Sequence, residues 1–344
     1  MQSMLRTPGA ACTVDWPVAS TRQTVGTDGH MVDPNRVGEP SRQEFAQQWG
    51  GSGSVVDLDG PVHWVEYGAD TGSPPVVMVH GLGGSHLNWV RIAPALAERT
   101  RVLTVDLPGF GLSPSGRRRT GVGANAKVLH RFLRDVVGGP VILMGNSMGG
   151  MISLFETAAH PEAVSALVLV DPALPVAQRI PDPRIAAQFA MYFTPFVGER
   201  FLQYSSRKLT DRQLVERMID LCFAEPSRAS EDSLDAAAAL AGYRRGLPSE
   251  DAAFLQASRS LMRVLARPRR YLDTMRSIAQ PVLLLHGDRD RLVPVAAARK
   301  VATANPRWDS VILGNVGHTP QLEVPDTMLD HVLTWVDRHG LIDA

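Results

Sequence analysis

The sequence predicts an α/β fold with a doubly wound, mostly parallel eight-stranded sheet and a helical cap inserted after the sixth strand. Two observations support this prediction. Short apolar runs without polar alternation, typical of strands buried on both faces, lie at residues 76–79, 102–105, 141–144, 166–170 and 281–286. Helical spacing separates most of these runs, and residues 172–276 show helical patterns without a strand pattern. Strand and helix patterns therefore alternate along the chain both before and after one long helical insertion.

Residues 1–50 are rich in Gly, Pro, Ser, Thr and Gln and show no sustained apolar period, so we expect a flexible N-terminal tail. The first regular structure should be a β-hairpin at residues 54–67 that turns at Asp59-Gly60. The chain then divides into a first core part at 51–171, a helical cap or lid at 172–276 and a second core part at 277–344.

Helices should follow the strands in order, with right-handed connections. Before the insertion, the spacing predicts helices at residues 89–98, 123–137 and 148–159. After it, we expect a helix at 295–303, a strand at 310–313 and a closing helix at 327–338. These elements complete the alternation that the first strands begin.

Charge and cysteine content restrict the partners and the compartment. Lys plus Arg and Asp plus Glu number 35 each, so no overall field attracts nucleic acid. Cys12 and Cys222 are the two cysteines, which argues against a disulfide framework or a zinc site and favours free thiols in a reducing, cytoplasmic compartment. No apolar run reaches the roughly 18 residues that span a bilayer, so we expect no integral membrane segment. The first 30 residues also lack the apolar segment of a secretory signal.

The apolar run at residues 141–144 stops at Gly145, and Ser147 then stands between two glycines in the pattern G-x-S-x-G. Small residues on both sides allow a turn so sharp that the serine oxygen projects above the sheet. Gly-Asn-Ser is also a common turn composition, so the pentapeptide alone is only suggestive. Ser147 becomes a candidate nucleophile because of the residues that accompany it.

A serine hydroxyl is a weak nucleophile and needs a base that a third group orients. His318 follows the expected strand at 310–313, and Asp290 follows the strand at 281–286. Both residues lie past the carboxyl ends of strands, where catalytic groups collect in parallel sheets. The chain order Ser147, Asp290, His318 is the order of serine, acid and histidine in hydrolases with this type of elbow.

An oxyanion hole should complete the site, because negative charge develops on the carbonyl oxygen in a tetrahedral intermediate. We expect its donors to be the backbone N–H of Met148, which follows the nucleophile, and that of Leu82, in the glycine-rich loop after the third strand. His86, Asn146 and Trp89 are candidates for lining the substrate pocket, and Trp89 is equally compatible with a core position.

Five motifs in order resemble those of the α/β-hydrolase fold family: His80-Gly81, DLPGFGLS at residues 106–113, GNSMG at 145–149, GDRD at 287–290 and Gly317-His318. The resemblance extends from about residue 54 to residue 340 and is specific, because the motifs follow one another at sensible spacing. It implies that Ser147 is the nucleophile, that His318 is the general base and then the acid, and that Asp290 is the orienting carboxylate. In this family, lids and caps are found after the sixth strand, where the insertion lies.

The resemblance also bears on the alternatives for the acid. Family motifs place the acid four residues before a proline, which selects Asp290 over Asp288, a residue that we expect to form a turn. Asp171 ends the sixth strand, where some relatives carry their acid, but the proline that follows it favours a turn or a helix cap. His80 is expected to be a hydrogen-bonded scaffold residue beside the oxyanion loop.

A serine at the elbow argues against the dehalogenase and epoxide-hydrolase chemistry of relatives that use an aspartate there. We therefore expect a lidded serine esterase or lipase that cleaves a small-molecule acyl ester through an acyl-enzyme, without a metal or an organic cofactor. The elbow also resembles that of C–C hydrolases acting on aromatic ring-fission products, although the Leu-Gly-Gly loop at 82–84 and Thr319 depart from that subfamily. A ligand receptor that retains the triad is a third hypothesis. The substrate and the oligomeric state are left open by the sequence.

Overall fold

The computed structural model describes residues 42–175, 187, 191–192, 194, 196–245, 247 and 250–343 of the 344-residue chain. All of them belong to the second of two compact units, residues 39–344. Most of the expected tail, including Cys12, and part of the insertion lie outside the described residues.

Eight strands form a single sheet. They are β1 (Ser52–Asp57), β2 (Pro61–Tyr67), β3 (Val76–Val79), β4 (Val102–Val105), β5 (Val141–Asn146), β6 (Val164–Val170), β7 (Val282–Gly287) and β8 (Asp309–Leu313). Their order across the sheet is β1-β2-β4-β3-β5-β6-β7-β8. β2 pairs antiparallel with both β1 and β4, and all other neighbours are parallel. The predicted mostly parallel eight-stranded sheet and its first hairpin are thus confirmed.

Twelve α-helices lie within the described residues. They are α1 (Arg42–Gln47), α2 (Ala93–Leu96), α3 (Val122–Phe132), α4 (Met148–Ala159), α5 (Val197–Lys208), α6 (Asp211–Cys222), α7 (Glu231–Arg245), α8 (Glu250–Leu265), α9 (Pro268–Arg276), α10 (Val295–Ala304), α11 (Pro320–Glu323) and α12 (Pro325–Arg338). Across these residues, no helix combines the length and the apolar character needed to cross a bilayer.

The helix expected at residues 89–98 is instead two short pieces. A 3₁₀ turn at His86–Trp89 precedes α2, and Ile92 separates the two segments outside the helical region. Pro94 lies at the start of α2, where its missing N–H and fixed φ favour beginning a new helix over continuing an old one.

The two faces of the sheet bury different sets of side chains, because successive strand residues point in opposite directions. Val77 and Leu143 face the cluster that contains α3, α4, α9 and α10. Met78 and Met144 face the cluster that contains α2 and α12, including Trp335. This arrangement is the doubly wound architecture, and it directs the carboxyl ends of the parallel strands towards one edge.

Regular structure within the described residues begins with α1, so the last part of the expected tail at residues 1–50 is helical. Phe45 and Ala46 are almost completely buried, and Phe45 packs in one cluster with Leu87 and Val90. The apolar residues Phe45 and Trp49 are four positions apart, a helical spacing that the polar neighbours obscure. The N-terminal helix is therefore part of the folded unit.

Helices α5 to α9 connect β6 to β7, as expected for the insertion. Its last helix, α9, packs on the core: Tyr271 and Met275 are fully buried, and the Tyr271 hydroxyl donates to the Ala173 carbonyl at 3.0 Å. The long segment between β6 and β7 therefore contains a final helix that forms part of the layer beneath the sheet.

Candidate active site

Ser147 lies between β5 and α4 in a backbone conformation that few residues adopt. Its φ of 52° and ψ of −116° cost on the order of 1–3 kcal/mol for a residue other than glycine. A Cβ atom at Gly149 would lie 2.2 Å from the Val79 carbonyl oxygen, so only glycine fits there. The Ser147 N–H donates to the Val170 carbonyl at 3.1 Å. These contacts hold a sharp, strained turn with the serine at its tip.

His318 and Asp290 form a buried pair beyond the ends of β8 and β7. His318 Nδ1 donates to Asp290 Oδ2 across 2.7 Å, and the two side chains are 5% and 0% exposed. Asp290 Oδ1 accepts the N–H groups of Leu292 at 2.7 Å and Val293 at 2.9 Å. This hydrogen-bond network assigns the proton of the neutral imidazole to Nδ1 and leaves Nε2 as the acceptor. An imidazole in that tautomer can act as a general base.

Asn146 connects the serine to the histidine loop. Its Nδ2 donates to the His318 carbonyl at 3.1 Å and to the Val170 carbonyl at 3.0 Å. Because Asn146 is buried and precedes Ser147 directly, these bonds tie the His318 loop to the elbow. The side chain of Asn146 thus joins two loops, and its assignment to the substrate pocket stays a prediction. Sequence spacing could not show this, because residues 146 and 318 meet only in the folded chain.

Two carboxyl groups lie together at the carboxyl edge: Asp290 and its rival Asp171 at the end of β6. Burial raises the pKa of Asp171 well above its ordinary value, and the charge of Asp290 adds to the effect. Burial acts on Asp290 in the same direction, but His318 outweighs it and holds the pKa of Asp290 below its ordinary value. Two like charges in one buried site are costly, and the opposite directions of the two pKa shifts favour the proton on Asp171 and the charge on Asp290. The Gly287 N–H donates to Asp171 Oδ1 at 2.9 Å, which ties β6 to β7.

The other rival acid, Asp288, is an exposed loop residue. Its Oδ1 accepts the Asn315 N–H at 2.7 Å, so it connects the loop after β7 to the loop after β8. This contact agrees with the expectation that Asp288 has a structural role in a turn.

The loop after β3 approaches the elbow closely. A Cβ atom at Gly81 would lie 3.1 Å from Ser147 Cβ, so the loop passes directly beside the candidate nucleophile. Within the described part of the chain, the N–H groups of Leu82 and Met148 donate to no protein acceptor. Free backbone donors on two loops beside a serine are what an oxyanion requires.

The His80 side chain stabilises this loop through two hydrogen bonds. Its Nδ1 donates to the Gly81 carbonyl at 2.7 Å, and its Nε2 accepts the Leu107 N–H at 3.0 Å. Both ring nitrogens are used, so the imidazole is neutral. Burial lowers the pKa of His80 to about 4, although the charge of Asp106 opposes the shift. The expectation that His80 is a hydrogen-bonded scaffold residue is confirmed.

Two further pocket candidates prove to be buried scaffold residues. His86 Nδ1 donates to Asp106 Oδ2 at 2.9 Å, its N–H donates to Asp106 Oδ1 at 2.6 Å, and the same carboxylate accepts from His63 Nδ1 at 2.9 Å. Trp89 is fully buried in the apolar cluster beneath α2. The burial of both side chains favours a scaffold role, and their assignment to the substrate pocket stays a prediction.

The insertion contributes an aromatic wall near the oxyanion loop. A Cβ atom at Gly83 would lie 3.3 Å from the ring of Phe254 on α8, and Phe254 meets Tyr192 edge to face with centroids 5.3 Å apart. Leu82 and Phe254 are both partly buried apolar residues. Phe254 was missed by sequence reasoning because helical periodicity does not say which face of α8 looks towards the sheet. A separate cavity of about 400 Å³ lies between α1 and α7 and contains none of the predicted site residues.

Glu323 and Cys222 are two further residues near His318 that no motif indicates. The Glu323 side chain is completely buried, and its carboxylate accepts the Gly317 N–H at 2.7 Å. The Cys222 carbonyl accepts the His318 N–H at 2.5 Å. Burial raises the pKa of the Cys222 thiol to about 12, and the charge of Asp290 adds to this, so the thiol is a poor nucleophile. The one sequence signal is an acidic residue five positions after the histidine.

The architecture and the comparison with known families indicate the same fold family. A strained serine elbow, a histidine paired with an acid and a glycine-rich loop stand at the carboxyl edge of a doubly wound sheet. The family model for the alpha/beta hydrolase fold matches residues 74–325. The chain belongs to the α/β-hydrolase fold family. Its helices on both faces of an eight-stranded, mostly parallel sheet are those of this fold.

Several curated proteins resemble the chain at low identity. The dihydrolipoyllysine-residue acetyltransferase component of the acetoin cleaving system of Pseudomonas putida is 26% identical, over 86% of this chain and 75% of that protein. The pimeloyl-[acyl-carrier protein] methyl ester esterase of Aeromonas hydrophila is 27% identical, over 75% and 93%. The 2-hydroxy-6-oxo-6-(2'-aminophenyl)hexa-2,4-dienoic acid hydrolase of Metapseudomonas resinovorans is 24% identical, over 89% and 96%.

Solved structures show the same similarity. A membrane phospholipase A described as a bacterial virulence factor superposes with a TM-score of 0.63 and 26% identity, over 85% of this chain and 88% of that one. A putative lipase from Acinetobacter baumannii superposes with a TM-score of 0.69, over 91% and 98%, at 22% identity. Because the identity to the Acinetobacter baumannii structure is only 22%, that similarity is evidence for the fold alone.

Proposed function

We propose that this protein is a serine carboxylic-ester hydrolase that works through an acyl-enzyme. The observation that supports this most strongly is the connection between the elbow and the base. Asn146 holds the His318 carbonyl at 3.1 Å, Ser147 follows Asn146, and His318 pairs with Asp290 at 2.7 Å. These contacts support the proposal that the strained serine, the imidazole and the buried carboxylate act together.

In the proposed reaction, His318 Nε2 takes the proton of Ser147 as the serine oxygen attacks the ester carbonyl. The imidazolium that forms is stabilised by Asp290, whose charge is already present and already hydrogen-bonded. His318 then gives the proton to the departing alcohol, which leaves the acyl group on Ser147. Water, deprotonated by the same imidazole, attacks the acyl-enzyme and releases the acid.

The N–H groups of Leu82 and Met148 would stabilise the negative oxygen in both steps. Neither donates to the described protein, so neither must break a bond before it binds the intermediate. Removing one such donor in related chemistry costs about 10²–10³ in kcat. The elbow and the glycine-rich loop would therefore each donate one hydrogen bond to the same intermediate.

The helical insertion acts in this proposal as a cap that forms part of the acyl pocket. Leu82 from the core and Phe254 from α8 provide apolar surface beside the oxyanion loop. Apolar walls with a few placed donors are usual for small-molecule sites. The similar esterase from Aeromonas hydrophila acts on the methyl ester of a pimeloyl-[acyl-carrier protein], which favours carboxylic-ester cleavage as the reaction class.

The proposal is tested by hydrolysis of p-nitrophenyl acyl esters by the purified wild type and by Ser147→Ala. We expect the variant to lose at least about 10³-fold in kcat, because the covalent route is removed. Ser52→Ala is the matched control, since Ser52 is exposed on β1 far from the elbow in sequence. Equal turnover by Ser147→Ala and the wild type would refute the proposal.

A second candidate function is hydrolysis of a C–C bond in an aromatic ring-fission product. It is favoured by the similarity to the dienoic acid hydrolase of Metapseudomonas resinovorans, which extends over 89% of this chain. The same nucleophile and base would serve such a reaction. Loss of the dienoate absorbance with the wild type, together with no turnover of any acyl ester, would replace the ester proposal by this one.

A further inference from the structure

Glu323 lies in the short helix α11 and joins two segments that are far apart in sequence. Its Oε2 accepts the N–H of Gly317, the residue before His318, at 2.7 Å. Its Oε1 accepts the N–H groups of Ala224 at 3.0 Å and Glu225 at 2.9 Å, just after α6 of the insertion. One buried carboxylate therefore binds the loop of the base and the insertion at the same time.

The same two segments also touch directly. The His318 N–H donates to the Cys222 carbonyl at 2.5 Å. A Cβ atom at Gly317 would lie 2.1 Å from the same oxygen, so the loop and the end of α6 are in closest possible contact. Arg228 adds a third connection, because its Nη1 donates to the Asn315 carbonyl at 2.7 Å and lies 3.2 Å from Glu323 Oε1. The backbone on the N-terminal side of His318 is thus held from the insertion.

Residues of the core bind the ring and the carbonyl group of His318. Asp290 binds the ring at Nδ1, and Asn146 binds the carbonyl. Without the Glu323 contacts, the Gly317 N–H would lose its bond to a charged group, the backbone would keep such bonds only at Asn315, and the ring could move relative to Ser147. Hydrogen bonds to ionised groups are roughly twice as strong as neutral ones, so the loss would be large for one side chain. A displacement of about 1 Å in a reacting group can cost about 10²-fold in rate.

We propose that Glu323 is a positioning residue that fixes His318 by binding its loop to the insertion after α6. The insertion then supports the base in addition to forming the pocket. This inference rests on the proposed function, because it assigns Glu323 an effect on the reaction of Ser147 and His318. The residue touches neither substrate nor reacting atoms and acts through the backbone of residues 317–318.

The test is Glu323→Gln, which keeps the size of the side chain. All four partners of the carboxylate are donors, so the amide NH₂ of glutamine must face a donor at one of its two ends. We expect kcat for a short p-nitrophenyl ester to fall about 10- to 100-fold, with KM changed less than about threefold. Glu323→Asp retains the charge and should recover part of the rate.

Asp326→Asn is the matched control, because Asp326 is an exposed carboxylate three residues further along and should leave kcat unchanged. Arg228→Ala is a second variant on the insertion side. Arg228 is about one-third exposed, so the fold should tolerate its loss, and kcat should fall about three- to tenfold if the connection to the insertion matters.

Unchanged kcat in folded Glu323→Gln would overturn the inference, and so would a rise in KM alone. If Glu323→Gln does not fold, unchanged kcat in Arg228→Ala overturns it, and a reduced kcat with unchanged KM supports it. A wild type without ester turnover would refute the proposed function itself. The two failures are therefore distinguishable.

Discussion

Replacing Asp290 by asparagine determines which of two adjacent carboxyl groups orients the base. Asp290 binds His318 Nδ1 at 2.7 Å; burial opposes the shift, but His318 lowers the pKa of Asp290, whereas burial raises the pKa of Asp171. In Asp290→Asn, the amide can present its NH₂ to Nδ1, which forces the imidazole proton onto Nε2. The nitrogen that must accept the serine proton is then already protonated.

The expected loss is large for this reason. The corresponding change in a serine protease lowers kcat by about 10⁴ through the wrong tautomer. We expect a similar fall in kcat/KM here, which corresponds to about 5 kcal/mol in the activation free energy. Asp171→Asn should cost less than about tenfold, because a neutral amide replaces a neutral carboxyl group of the same shape. Its oxygen can still accept the Gly287 N–H, now at 2.9 Å.

The assay is the initial rate of p-nitrophenyl ester hydrolysis by the two variants and the wild type at pH 7 to 8, with folding checked by thermal unfolding. The ratio between the two variants is the informative quantity, since both remove one buried carboxyl group from the same site. A larger loss for Asp171→Asn than for Asp290→Asn would refute the assignment of the charge and the proton.

Two other predictions concern stability and substrate range. Burial lowers the pKa of His80 to about 4, so the folded state binds a proton less readily than the unfolded chain. The contribution of neutral His80 to folding stability is therefore retained above about pH 6.5 and lost as the pH falls towards 4. Between pH 7 and pH 5 this loss is about 2 kcal/mol, and urea unfolding of His80→Gln should lack it; an identical pH dependence in both proteins would contradict the buried neutral state. Phe254→Ala should weaken hydrolysis of a long-chain ester by about 1–3 kcal/mol in kcat/KM and leave an acetate ester almost unchanged. Tyr204→Ala, at an exposed position on α5, is the control, and equal losses for both esters would remove Phe254 from the acyl pocket.

The sequence was informative wherever function depends on local geometry. The sharp turn at Ser147 needs glycine at positions 145 and 149. The short apolar runs show where the strands end, so the elbow, Asp290 and His318 could be predicted to share one edge of the sheet. The resemblance of five motifs added the fold and the roles. The structure then brought His318 and Asp290 together at 2.7 Å.

The sequence was uninformative wherever function depends on contacts between distant segments. Asn146 binds the His318 loop, and His86 binds Asp106, and neither partner follows from periodicity. Trp89 is buried in the core, although its type and spacing also fit a pocket position. Glu323 has no motif, and its importance follows from four donors, three of which come from the distant residues 224–228 and one from Gly317. The raised pKa of Asp171 depends on burial, which residue type alone cannot reveal.

The most direct test of the central claim is to label the nucleophile covalently. The purified wild type is treated with a fluorophosphonate, which reacts with activated serine nucleophiles, and the intact protein and its peptides are analysed by mass spectrometry. We expect one adduct per chain, located on Ser147, absent in Ser147→Ala and formed much more slowly in Asp290→Asn. An adduct on another serine, or an unmodified wild type under conditions that fully label a control serine esterase, would contradict it.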